Sequence, residues 1–152
     1  MIAECDIRLA SPRDAHGIAI MSRDYVEQGL GWRWSPGRVL NSIRDRAANV
    51  AVASERGTLV GFGIMKYLDD EAHLHLLAVQ PQHQRRGIGA ALVAWLETSA
   101  LTAGIGLVYV EARESNTQAR EFYRKLGYKE FDSVSRYYRG MEDGIRLAKD
   151  LW

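Results

Sequence analysis

Apolar and polar residues alternate over residues 4–10, the period of a half-buried strand. Ser11-Pro12-Arg13-Asp14 then reads as a helix start, with Ser11 as cap, Pro12 at the first helical position and Asp14 in the first turn. That helix is expected to reach about Glu27, with Ala15, Ile18, Met21 and Tyr25 inward and His16 toward solvent. A glycine-rich stretch carrying Trp32 and Trp34 follows. Ser35-Pro36 caps a second helix to about Ala48, with Val39, Leu40 and Ile43 as its apolar stripe. Residues 50–54, 58–67 and 73–79 read as three strands joined by short turns, hence an antiparallel meander. Pro81 ends the last of them, because proline has no N–H for a sheet ladder. Ile88, Leu92, Trp95, Leu96 and Ser99 fall at helical spacing, closed by Gly104 and Gly106. Residues 107–113 form a strand, parallel to its predecessor because a helix crosses between them. Ser115-x-x-Gln118 reads as a capping box opening a helix with Ala119, Phe122 and Leu126 inward, ended by Gly127. Strands over 128–135 and 139–151 complete the chain. The expectation is one α/β domain over 1–152, about seven strands and four helices, with a mixed, mostly antiparallel sheet.

Composition narrows the function classes. The net charge of +1 gives no global polyanion-binding signal, so nucleic acid is not an expected partner. Cys5 is the single cysteine, which excludes an internal disulfide and a cysteine-rich metal site and suits a reducing compartment. It reads as a small core hydrophobe. No apolar run approaches the ~20 residues of a membrane span, and the N-terminus, with Glu4 and Asp6, does not read as a signal peptide. The expected location is the cytoplasm.

The chemistry concentrates in residues 76–96, LLAVQPQHQRRGIGAALVAWL. An apolar strand, a basic glycine loop and a helix start make an anion site. The first helical turn leaves backbone N–H groups unpaired and adds positive potential. Gly87 and Gly89 would let phosphate oxygens approach that backbone, and Arg85 and Arg86 add charge. A Walker loop needs Lys then Ser/Thr after its glycines, but Ala90 and Ala91 stand there. A dinucleotide fingerprint needs a third small residue where Leu92 stands.

Gln84-x-x-Gly87-x-Gly89 resembles the (Q/R)-x-x-G-x-(G/A) pyrophosphate loop of the GNAT superfamily of N-acetyltransferases. The downstream pattern is sharper: Glu111-x-x-x-x-Asn116, then Tyr123, then Leu126-Gly127-Tyr128. It resembles the ribosomal-protein-alanine and N-terminal acetyltransferase branch. Tyr137-Tyr138-Arg139-Gly140-Met141-Glu142-Asp143 resembles the segment opening the last strand there, with Met141 and a shortened glycine spacing as departures. The resemblance implies a GNAT fold whose fourth and fifth strands splay at the cofactor, and acetyl-CoA as cosubstrate without a metal. It implies a cofactor site at Leu77, Ala78, Val79, Gln84, Arg85, Arg86, Gly87, Ile88, Gly89, Ala90, Asn116 and Tyr123. It also implies Glu111 as base through water, Tyr123 as acid for the departing sulfur, and the Val79 N–H as carbonyl donor.

His73 competes with Glu111, since other enzymes of the superfamily carry a glutamate base at the matching position. Imidazole titrates near ~6.5, well placed for a base. Strand alternation puts His73 and His75 on the side of Leu77 and Val79. Trp32 and Trp34 read either as a loop folded on the core or, with His75, Tyr137 and Tyr138, as acceptor-site walls. Asn116 and Tyr123 are seven residues apart and share a helix face. The reading is transfer of an acetyl group to a primary amine by direct attack in a ternary complex, the acceptor a peptide N-terminal amine. Alternatives are a small-molecule amine acetyltransferase and a non-catalytic acyl-CoA-binding module. A homodimer is left open.

Overall fold

The structure, a computed structural model, describes residues 5–138 and 142–152, and the side chains of all of these except 136–138 and 142. The element order is β1 (Cys5–Leu9), α1 (Ala15–Tyr25), α2 (Pro36–Arg44), β2 (Ala48–Glu55), β3 (Thr58–Tyr67), β4 (Ala72–Val79), α3 (Ile88–Thr102), β5 (Leu107–Arg113), α4 (Thr117–Lys125), β6 (Lys129–Tyr138) and β7 (Glu142–Asp150). The strands form one seven-stranded sheet in the order β1-β2-β3-β4-β5-β7-β6. Every pair is antiparallel except β4–β5.

Both faces of the sheet are covered. On one, α3 and α4 close a core around Leu92, Leu96, Leu74, Val108 and Leu147. On the other, α1 and α2 close a second core around Ile18, Val39, Phe62, Ile64 and Leu76. Each fully buried aliphatic side chain contributes about 1.5–3 kcal/mol of transfer free energy, so these two layers fix where the sheet lies between its helices. Cys5 is a partly buried apolar contact of the first core. Tyr25, expected inward, is 41% exposed: it continues the stripe of Ile18 and Met21, but as the last residue of α1 it stands at the cleft.

The parallel pair is short. Only Ala72, His73 and Leu74 pair with Val108, Tyr109 and Val110. Beyond them β4 stays with β3 while β5 stays with β7, so the strands splay and the sheet opens between them. A bulge stands at the same place. Ile64 pairs with Leu76 but Met65 pairs with Leu74, which leaves His75 as an extra residue in β4. The bulge inverts the strand's parity: Ala72 and Leu74 join the α3 core, whereas Leu76 and Ala78 join the α1–α2 core. His73 and His75 therefore do not share a side with Leu77 and Val79, as unbroken alternation requires. His73 looks toward α1 and α2, while Leu77 and Val79 pack with α3.

Candidate active site

Where the strands part, a cleft of about 810 Å³ opens. Its floor is β4 from His73 to Leu77 and β5 from Val110 to Arg113, and its walls are the α1–α2 loop and the start of α4. Strand alternation delivers Glu111 and Arg113 to this side, since Val110 and Ala112 are taken by the α3 core. Helical periodicity delivers Asn116, Ala119 and Tyr123, one stripe at i, i+3 and i+7.

Asn116, not Ser115, caps α4: its side-chain oxygen accepts the Ala119 N–H at 3.0 Å. That fixes the amide at the cleft and leaves its NH2 as the group directed elsewhere. Tyr123 is 7% exposed and packs edge-on against Phe122 and Tyr128. Burial pushes its phenol well above the ordinary value of 10, so it enters any reaction as a protonated hydrogen-bond donor. Glu111 lies 3.5 Å from the Arg146 guanidinium of β7, its register partner.

The glycine loop follows β4. The Gln80 N–H donates to Val60 on β3 at 2.8 Å, so Val79, one residue earlier, turns its N–H and C=O toward the opened edge. The Gln84 side-chain amide donates to the Val79 carbonyl at 3.0 Å, tying the loop to the strand end. Arg85 and Gly87 both adopt positive φ, 65° and 82°, and curl the backbone so that the first N–H groups of α3 face outward. A Cβ on Gly89 would stand 3.2 Å from the Phe122 ring, so this glycine also lets α3 approach α4. Arg85 is exposed, but the Arg86 guanidinium is held 2.8 Å from Glu55 of β2. At position 86 the loop therefore offers its backbone while the side chain anchors it. A left-handed glycine cap, an open run of N–H groups and the Val79 N–H at the strand edge fit a pyrophosphate and a thioester carbonyl.

The α1–α2 wall of the cleft is built on two residues that the motif left out. Glu27 follows the end of α1 and is 7% exposed, yet its carboxylate is fully engaged. It accepts the Ser22 hydroxyl at 2.7 Å and the N–H groups of Arg33 and Trp34 at 2.6 and 3.1 Å. Arg113 donates to the carbonyls of Val26 and Gln28 at 2.8 and 3.0 Å, pinning the same loop to β5. The sequence carried a signal for Glu27, since an acid beside a helix C-terminus has the wrong sign for the dipole. Trp34 thereby stands edge-on to His75, centroids 6.2 Å apart, with the Arg38 guanidinium 3.9 Å over its ring. Trp32 is absent from the cleft lining: it is 41% exposed and donates its indole N–H to Ala19 on α1. Proximity in sequence to Trp34 misleads here, because the two indoles meet different partners, Ala19 of α1 and His75 of β4.

His75 opens onto the cleft. Desolvation lowers its pKa, helped by His73, Arg38 and Lys66, so it is neutral at pH 7. His73 is fixed by Glu71, whose carboxylate lies 2.6 Å from its Nε2, and stacks on Tyr109 at 5.2 Å. Among the described residues no three His, Cys, Asp or Glu side chains converge as a metal site would need. The side chains of Tyr137 and Tyr138, and residues 139–141, lie outside the described residues.

The profile of the acetyltransferase (GNAT) family matches residues 18–128. The [ribosomal protein bS18]-alanine N-acetyltransferase of Escherichia coli is 32% identical over 128 residues, 82% of this chain and 86% of that protein. Among solved structures, Ard1 of Thermoplasma volcanium superposes with a TM-score of 0.88 at 22% identity, covering 99% of both chains. PaiA N-acetyltransferase of Thermoplasma acidophilum, in complex with coenzyme A, superposes with a TM-score of 0.81 at 21% identity over 96% of this chain and 98% of that one.

Proposed function

The chain belongs to the acetyltransferase (GNAT) family and is an acetyl-CoA-dependent N-acetyltransferase, and we propose that its acceptor is the α-amine at a protein or peptide N-terminus. The observation that carries this reading is the cleft itself. Glu111 on β5 and the Asn116–Ala119–Tyr123 stripe of α4 line one cleft where the strands part.

The reaction needs a neutral amine, a donor for the carbonyl oxygen as it gains charge, and a donor for the sulfur as it leaves. Glu111 takes the amine's proton, through a water, because it is the cleft carboxylate on the strand edge. The Val79 N–H meets the carbonyl oxygen. Tyr123 donates a hydrogen bond to the departing thiolate, which its raised pKa favours over full proton transfer. Asn116 directs its NH2 toward the cofactor arm while its oxygen stays in the helix cap. The N–H groups at the start of α3 bind the pyrophosphate.

An α-amine titrates near ~8 and a lysine near ~10.4, so a carboxylate base reaches the neutral α-amine at far lower cost. The enzymes that the chain resembles are named for N-acetylation at an alanine of ribosomal protein bS18, and alanine has no amine but its α-amine, which supports the same acceptor. The test follows CoA release with peptides having a free N-terminus, the same peptides blocked there with a free lysine, and small amines. Free N-termini should give the largest kcat/KM. Turnover of small amines alone would replace this reading with a small-molecule enzyme.

A further inference from the structure

Carboxylates in and beside the cleft are engaged. Glu27 is saturated by Ser22 and two backbone N–H groups, Glu111 faces Arg146, and Glu71 holds His73. The cations of the acceptor wall are placed differently. Arg38 sits over the Trp34 indole, its guanidinium carbon 3.9 Å from the ring centroid, at the cleft. Stacking orients a guanidinium plane and leaves its N–H edge for another partner.

The position is a poor one for an arginine on local grounds. Arg38 is the third residue of α2, and its N–H donates to the capping Ser35 hydroxyl at 3.3 Å. That site favours Glu or Gln, and a cation there opposes the helix dipole. A residue that breaks a local rule at a cleft wall points to function. The Arg38 charge also reaches His75 on the cleft floor, where it adds, after desolvation and His73, to the lowering of the imidazole pKa.

Resting on the N-terminal-amine reading, we propose that the acceptor peptide carries a carboxylate side chain within its first three residues and that Arg38 binds it. The cleft extends from Glu111 on the floor to Arg38 on the α2 wall, and a peptide entering amine-first passes Trp34 and His75 between them. A basic second residue would meet like charge.

The experiment compares peptides identical except for Asp, Asn or Lys at the second and, in a parallel set, the third residue, with the full-length protein and Arg38→Lys and Arg38→Glu. The wild type should prefer Asp over Asn by about tenfold in kcat/KM, mostly through KM, and disfavour Lys. Arg38→Lys should keep the order, and Arg38→Glu should invert it, an outcome that a folding defect cannot produce. CoA affinity, measured by calorimetry, should stay the same in both variants. Equal rates across the peptides, or an Asp preference that survives Arg38→Glu, would overturn the role of Arg38 while leaving the N-terminal acceptor intact. If no free-N-terminus peptide is turned over while small amines are, both readings fall.

Discussion

The carboxylate of Glu27 accepts the backbone N–H of Trp34 at 3.1 Å, joining the end of α1 to an aromatic wall of the cleft seven residues later. A hydrogen bond to a buried charged acceptor contributes about 1.5–3 kcal/mol, and this acceptor serves three donors. Glu27 is a positioning residue for Trp34. Glu27→Gln retains size but cannot satisfy all three donors, so acceptor KM should rise severalfold while the calorimetric affinity for CoA is unchanged. A parallel loss of CoA binding would make Glu27 a general stability residue.

Gly87 is the left-handed cap of α3, with φ of 82°. Gly87→Glu brings a side chain into a conformation that costs ~1 kcal/mol or more and sets a carboxylate where the pyrophosphate should bind. Calorimetry should find no CoA binding in a protein whose circular dichroism is that of the wild type. CoA binding at wild-type affinity would move the cofactor site elsewhere.

Tyr123 is held protonated by burial. Tyr123→Phe should lower kcat by about 10- to 100-fold, the scale of a lost hydrogen bond to developing charge. Because the phenol titrates above its ordinary range, the shape of the rate profile between pH 6 and 9 should not change. An alkaline limb that disappears in Tyr123→Phe would contradict that state.

Glu111 faces Arg146, and Glu111→Gln keeps a hydrogen-bonding side chain there without its basicity. Its kcat/KM should fall by about 10²–10⁴ across the pH range. His73→Gln should retain the acidic limb of the profile, because the Glu71 carboxylate already occupies its Nε2. A near-normal Glu111→Gln beside a flattened His73→Gln profile would exchange the two roles.

The Arg8 guanidinium, reinforced by the Ser11 N–H and hydroxyl, holds the Asp14 carboxyl at about 2, below its ordinary 3.8. A folded-state pKa below the unfolded one gives stability that is present above about pH 4 and lost as pH falls toward 2. Asp14→Asn should lower Tm by about 3 °C near neutrality. The difference should shrink to nothing in melts below pH 2, and a difference that persists there would assign it to packing.

The sequence by itself determined the element order, the antiparallel meander, the parallel pair and the glycine loop after β4. Each depends on contacts within a few residues: apolar period, caps, breakers and loop length. The Glu111–Asn116–Tyr123 grouping was legible for the same reason, since a strand, a tight turn and two helical turns fix relative positions locally. Only the tertiary structure decided the rest. The bulge at His75 exists because β4 must fit β3 on one edge and leave β5 on the other, so no count along β4 places His73 and His75. Trp34 entered the cleft and Trp32 did not because Glu27 and Arg113 fold the loop between them. Arg86 turned to Glu55, a partner on β2 that its own motif cannot specify. A buried charge takes the nearest group able to satisfy it, and which group is nearest is settled by how distant segments pack.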